Sequence, residues 1–231
     1  MMRSGGSGRV LIALAVSLLA VSCTSGGSSA TPTGRMSVTQ PGTSSASIPP
    51  LVQEHGAPLG PGTYTTVFQP KITFTTDASW ISYADSPGFV QFERADGSGD
   101  IAFKRIDEVF DPARAHKLMP VPNDYVAWIT TLPGVKVLAG PKVVTVDGIK
   151  GSEVDVQASK AAPTVYCKDP CVALWPLDPG HPAALSTDAV SRIVAFRMHG
   201  QTVTIGCGAP EADFDALAGD CDSVLATVHF G

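Results

Sequence analysis

Twenty of the 27 residues from Thr24 to Pro50 are Ser, Thr, Gly or Pro, and only Arg35 among them is charged. Such a tract has too little apolar surface to offset the entropy of ordering, so it is expected to stay disordered. Folding is thereby confined to the roughly 170 residues from about Gly62 to Gly231, enough for one domain with a real core. As a flexible coil the tract spans about 30 Å, from ~5–6 Å times √n. Ahead of it, Val10 to Val21 is apolar except for Ser17, and Arg3 and Arg9 supply positive charge. As a helix this run reaches about 18 Å at ~1.5 Å per residue, short of a bilayer core of ~30 Å. Residues 1–22 therefore read as a secretory signal peptide, without a twin-arginine pair.

Between the apolar run and the tract stands Leu19-Ala20-Val21-Ser22-Cys23. This segment resembles the lipobox of bacterial lipoproteins, with Ala20 where leucine is commonest. The resemblance implies that the Cys23 thiol takes a diacylglyceryl group and that cleavage leaves Cys23 as the first residue. A thiolate is the nucleophile such chemistry needs. Ala20-Val21-Ser22 also satisfies the small-x-small rule of ordinary signal peptidase, which would release a soluble protein with a free Cys23. The cysteine directly past the cut, together with the linker, decides for lipidation. Each buried CH₂ contributes about 0.8 kcal/mol, and two acyl chains hold stably where one does not. The expected organisation is signal peptide 1–22, lipidated Cys23 and linker 23–61, and one extracytoplasmic domain 62–231. That places the protein on the outer face of the cell membrane, with the membrane as a partner through the anchor.

Removing residues 1–22 deletes Arg3 and Arg9 and no acid, leaving 14 basic and 21 acidic residues and a net charge of −7. Nucleic-acid binding rests on Lys and Arg neutralising phosphates, so this balance argues against it. It equally disfavours electrostatic attachment to anionic lipid.

The domain reads as α+β, a largely antiparallel sheet with two packed helices and disulfide staples. Ile72 and Phe74 alternate with Lys71, Thr73 and Thr75, and Trp80–Tyr83, Phe89–Arg94 and Ile101–Ile106 continue as strands. Asp96-Gly97-Ser98-Gly99 supplies a hairpin turn. A helix is predicted over Asp124–Leu132, capped by Asn123 and stopped by Pro133, with Tyr125, Trp128, Ile129 and Leu132 on one face. Val143–Val156 turns at Asp147-Gly148, and its change of apolar parity predicts a bulge near Gly151. Ile193–Ile205 turns at His199-Gly200, setting Phe196 opposite Val203 and Val194 opposite Ile205. Pro210 suits a first helical turn, after which Phe214, Leu217, Cys221, Val224 and Leu225 recur at helical spacing. Val228–Phe230 is expected to return as a closing strand.

Pro61-Gly62-Thr63-Tyr64-Thr65-Thr66, Phe68-Gln69-Pro70 and Phe74 with Trp80 resemble the opening of uncharacterised actinobacterial lipoproteins. Ala209-Pro210-Glu211-Ala212-Asp213-Phe214-Asp215 and Val224-Leu225-Ala226-Thr227-Val228 are similar to their closing helix and strand. A sheet ending this way also resembles the PsbP-like α/β sandwich. The resemblance covers about a third of the chain and implies binding or scaffolding, an analogy from fold and not a site.

Cys167, Cys171, Cys207 and Cys221 allow three pairings. Cys167–Cys171 and Cys207–Cys221 are expected, because Lys168-Asp169-Pro170 turns back on itself and Cys221 lies on the buried stripe of the helix after Cys207. The loop-entropy model gives the bridges roughly 2 and 3 kcal/mol. The alternative for the first pair is copper, since C-x₃-C resembles the site of respiratory copper chaperones and His181 or Met198 could complete it. No proline follows Cys171 and no thioredoxin-like unit surrounds it, so neither metal nor other cofactor is expected.

The chain holds no G-x-S-x-G, H-E-x-x-H, P-loop or Rossmann glycine run. His55, His116, His181, His199 and His229 are scattered, Asp107-Glu108 reads as a solvated strand end, and Asp213 and Asp215 suit a helix N-terminus. The candidate recognition surface is a long proline-rich loop, Cys167–Asp188, with Tyr166, Trp175 and Leu177 as anchors or with Trp175 plugging the edge of the core. The reading is a binding or interaction module for an envelope protein or a small apolar ligand. An envelope enzyme with an unrecognised site and a copper-binding protein are the alternatives. Replacing Cys23 by Ala is expected to move the protein from the membrane to the soluble fraction, which fractionation and immunoblotting would report; unchanged partitioning would defeat the lipobox reading.

Overall fold

Alternating apolar residues and tight turns lay about half of the described residues down as antiparallel strands. A computed structural model describes residues 48–51, 55–76, 80–178 and 181–231, all within the compact unit Ala46–Gly231. The signal segment, Cys23 and the tract to Ser47 lie outside the described residues. The elements begin with β1 (Ala57–Leu59), β2 (Gly62–Thr65), β3 (Ile72–Thr76), β4 (Trp80–Ser86), β5 (Phe89–Arg94) and β6 (Asp100–Ile106). They continue with β7 (Glu108–Phe110), β8 (Leu118–Pro120), α1 (Tyr125–Thr131), β9 (Val135–Val146) and β10 (Ile149–Ala158). The last are β11 (Val172–Asp178), β12 (His181–Leu185), β13 (Ala189–Met198), β14 (Gln201–Pro210), α2 (Phe214–Leu225) and β15 (His229–Phe230).

Eight strands form one antiparallel sheet in the order β1-β4-β5-β6-β14-β13-β10-β9. On one face, α2 and the small sheet β15-β3-β2 close a core of Phe74, Trp80, Phe92, Phe103, Ile205, Leu217 and their neighbours. Phe74 and Phe92 stack at 5.0 Å, and Trp80 meets Phe92 edge-on at 5.1 Å. Each such ring contributes about 1.5–3 kcal/mol by leaving water. On the opposite face, α1 and the hairpin β11–β12 bury Ile106, Ile129, Val154, Val156, Leu174 and Ile193. The class is α+β with the sheet dominant.

The disulfides are Cys167–Cys171 and Cys207–Cys221. The second joins β14 to α2 inside the first core, where both cysteines are buried. Beyond that core, Arg192 is buried against α2. It donates to both carboxylate oxygens of Asp155 (2.9 and 3.1 Å) and to Asp222 (2.9 Å), and Glu153 lies 3.3 Å away. These partners, the Asp155 hydrogen bond first, hold its guanidinium pKa above the ordinary value.

Strand registers follow the expectation at β13–β14, with Phe196 opposite Val203 and Val194 opposite Ile205. Four details differ. The α1 cap is Asp124, not Asn123, because its Oδ1 accepts from the Ala127 amide at 2.9 Å. Pro210 ends β14 instead of opening a helix; its carbonyl accepts a turn hydrogen bond from Asp213 N. The fold also takes in residues that composition assigns to the linker: Leu51 and Leu59 are 1% and 2% exposed, and β1 pairs with β4.

The fourth concerns the bulge. The ladder from Ile149 to Glu153 is regular, and the irregularities fall between Glu153 and Val156, opposite Val137–Lys142. Gly140, at φ +82°, belongs to that break, and a Cβ there would sit 2.8 Å from the Glu153 carbonyl. The parity change has another cause. β10 is covered on both faces, so Ile149 packs into the first core while Val154 and Val156 face the second. Gly151 is instead a close approach, since a Cβ would lie 2.5 Å from both the Ala195 carbonyl and the Phe196 ring. Gly151→Ala is expected to cost about 1–3 kcal/mol through this overlap. Denaturant melts check it; an unchanged midpoint would contradict the packing.

Candidate ligand-binding trough

The two-residue repeat of a strand decides which side chains face each core. Val90 and Phe92, Ile101 and Phe103, Ile205 and Cys207, and Val190 and Val194 point into the first core. Their neighbours therefore share the other face: Phe89, Gln91 and Glu93 on β5, Asp100 and Ala102 on β6, Gly206 and Gly208 on β14, and Ser191 and Ile193 on β13. The hairpin β11–β12 stands over this face, and between them runs a trough of two lobes of about 370 and 350 Å³. Asp100, Ala184, Ser191 and Gly208 line both lobes. Trp175, Leu177 and Pro182 form the apolar wall of the larger. The trough stays open because the floor is built of small residues. A Cβ on Gly206 would meet nothing within 4 Å, and one on Gly208 would lie 3.3 Å from Asp100 Oδ1.

Asp100 is the unusual group. Its Oδ2 accepts a hydrogen bond from Gln91 Nε2 at 3.2 Å. Burial pushes its carboxyl up to about 6; the Gln91 hydrogen bond opposes this and the charge of Glu93 reinforces it. A carboxylate kept from water without a cation is costly, and such groups gather at functional sites.

Trp175 and Leu177 lie on β11, because Cys167–Asp188 is not a long loop: it forms a disulfide-closed turn and then the β11–β12 hairpin. The alternation of Val172 and Leu174 with more exposed neighbours is the signal for that strand. Trp175 packs partly buried against the second core, its ring 6.4 Å from Tyr125, while Leu177 is 46% exposed. Tyr166 is held elsewhere. It packs on Phe110 at 4.6 Å, accepts from the His116 amide at 2.7 Å, and lines a separate pocket of about 290 Å³ with Leu132 and Val172. Asp100 escaped the sequence reading because it follows a polar turn; the available signal was Gly206-Cys207-Gly208, since glycines within a strand mark close approach.

Both sulfurs of the C-x₃-C pair are joined to each other, Met198 is buried in the first core, and the side chain of His181 lies outside the described residues. Among the described residues no three His, Cys, Asp or Glu side chains are grouped to hold a metal ion. His199 occupies its turn at φ +49°, and His229 Nδ1 lies 2.9 Å from Asp147 Oδ1. A larger groove of about 470 Å³ lies between α1 and the sheet, lined by Val126, Lys150, Phe196 and Arg197. No helix among the described residues is long and apolar enough to cross a membrane.

No family model matches the chain, and no curated protein matches it. Solved structures similar to it include cyanobacterial PsbP (CyanoP) from Synechocystis sp. PCC 6803, at 12% identity and a TM-score of 0.42, covering 77% of this chain and 95% of that one. Another is LpqN, involved in cell envelope biogenesis of Mycobacterium tuberculosis, at 11% identity and 0.28, covering 76% and 84%. A third, from Bacteroides thetaiotaomicron, has 8% identity and a TM-score of 0.35; the match covers 69% of this chain and 45% of that protein.

An acid whose folded pKa exceeds its unfolded value makes the folded state bind more protons between the two. Stability is then lost as pH rises from about 4 to about 6 and stays lower above that. Asp100→Asn removes this loss. The variant is expected to be more stable than the parent near pH 8, by about 1–3 kcal/mol, and no more stable near pH 4. Thermal melts at both pH values check this, and an equal gain at the two would contradict it.

Proposed function

We propose that this chain is a lipid-anchored binding module on the outer face of the cell membrane, holding a small apolar ligand in the trough between β11–β12 and the sheet. The anchor is supported by Leu19–Cys23 and by the Ser/Thr/Gly/Pro tract that follows. The binding reading is carried by one observation: three adjacent strands present Ala102, Gly206, Gly208 and Ser191 beneath a wall of Trp175, Leu177 and Pro182. Burying that floor with larger side chains would close the gap and add stability. Small residues keep it open. The larger lobe falls within the ~300–1,000 Å³ of small-molecule sites, which combine mostly apolar walls with a few polar groups.

Gly206→Val tests this without disturbing the core, because the added carbons enter open space and valine favours strands. The neutral apolar dye Nile red serves as probe, with the full chain carrying Cys23→Ala so that no detergent is needed. Saturable fluorescence enhancement is expected, and Gly206→Val should weaken it at least tenfold with the melting temperature held or raised. Absence of saturable binding, or binding indifferent to Gly206→Val, would remove the trough from consideration.

A further inference from the structure

The trough is apolar at one end and acidic at the other. Phe89, Trp175, Leu177 and Pro182 line the larger lobe, Glu93 lines the smaller, and Asp100 lies between them. Among the described lining residues, Asp100 and Glu93 carry the only charges, and no Lys, Arg or His is found among them. Gln91 Nε2 is the one hydrogen-bond donor on the Asp100 carboxylate among the described residues; it is neutral and reaches Oδ2. Neither nearby cation makes a hydrogen bond to Asp100 among the described residues. Arg94 donates from Nε to Asp220 on α2 at 3.0 Å. Lys104, four residues along the same face of β6, lies over the Phe89 ring at 5.3 Å.

A partly buried carboxylate with free acceptor capacity is stabilised most by a charged donor, which supplies both the hydrogen bond and the missing positive charge. The second carboxylate, Glu93, adds to the same field. An anionic ligand would meet repulsion from both, and a purely apolar one would leave Asp100 uncompensated while covering it from water. We infer that the trough takes an amphipathic amine, its primary ammonium head on Asp100 with Glu93 beside it and its apolar body against Trp175, Leu177 and Phe89. This rests on the trough being a ligand site, as proposed above.

Displacement of Nile red from the full chain carrying Cys23→Ala, near pH 7.5, separates the two ideas. Octylammonium, 1-octanol and octanoate share one apolar body and differ only in the head. Octylammonium is expected to displace the dye at a concentration at least tenfold below 1-octanol, with octanoate weaker than both. Asp100→Asn should bring octylammonium to within about twofold of 1-octanol, and Glu93→Gln should reduce the preference in part. Equal displacement by octylammonium and 1-octanol, tighter octanoate, or a preference that survives both Asp100→Asn and Glu93→Gln would overturn the head-group assignment. Displacement by 1-octanol without any ammonium preference would leave the trough standing and the amine rejected. If none of the three displaces the dye, the trough reading falls with it.

Discussion

One eight-stranded sheet is covered on both faces, and its strands are patterned for that double burial. An antiparallel sheet can leave one face to water, and its strands then alternate cleanly between apolar and polar. Here α2 and β15-β3-β2 close one face while α1 and β11–β12 close the other. Strands such as β10 and β13 consequently bury residues of both parities, including charged Glu153, Asp155 and Arg192, which are tolerated because Arg192 pairs with both acids and Lys142 supplies a second positive charge at Glu153.

The two covers are unequal. The first is continuous and is tied to the sheet by Cys207–Cys221 and the aromatic cluster around Phe92. The second is made of a seven-residue helix and a separate hairpin, and it meets the sheet at Ile106, Val154, Val156, Ala158, Ile193 and Ala195. Where β6 and β14 carry Ala102, Gly206 and Gly208, the hairpin has no side chains to rest on. The trough is that shortfall in packing. Asp100 sits between its two lobes, too enclosed to be well hydrated and without a cation among the described residues, so the feature that weakens the fold is also the one on which the binding proposal rests.

Much of the sheet was legible in the sequence because its determinants are local. Asp-Gly and His-Gly turns set the register of their hairpins, and Phe214, Leu217, Cys221 and Val224 at helical spacing placed α2 against β14 and made the Cys207–Cys221 pairing readable. The misreadings arose where a non-local contact decided the outcome. Glycine at 151 looked like a bulge signal, but it answers to the Phe196 ring across the ladder. Prolines at 170, 176 and 182 suggested a loop; the segment is a hairpin because Val172, Leu174 and Leu185 have a second core to enter.

Most strands of the large sheet, both helices and both cysteine pairs were thus readable from the chain alone, written in periodicity, turn chemistry and spacing within short windows. Its N-terminal pattern carries the proposal of an anchored, extracytoplasmic domain. It took the packed fold to bring Asp100 and Glu93 into one trough with Trp175 and Leu177 and to set Tyr166 in another pocket. That grouping depends on which strands are neighbours and which face each turns outward, and residues separated by some 75 positions meet there through sheet order alone.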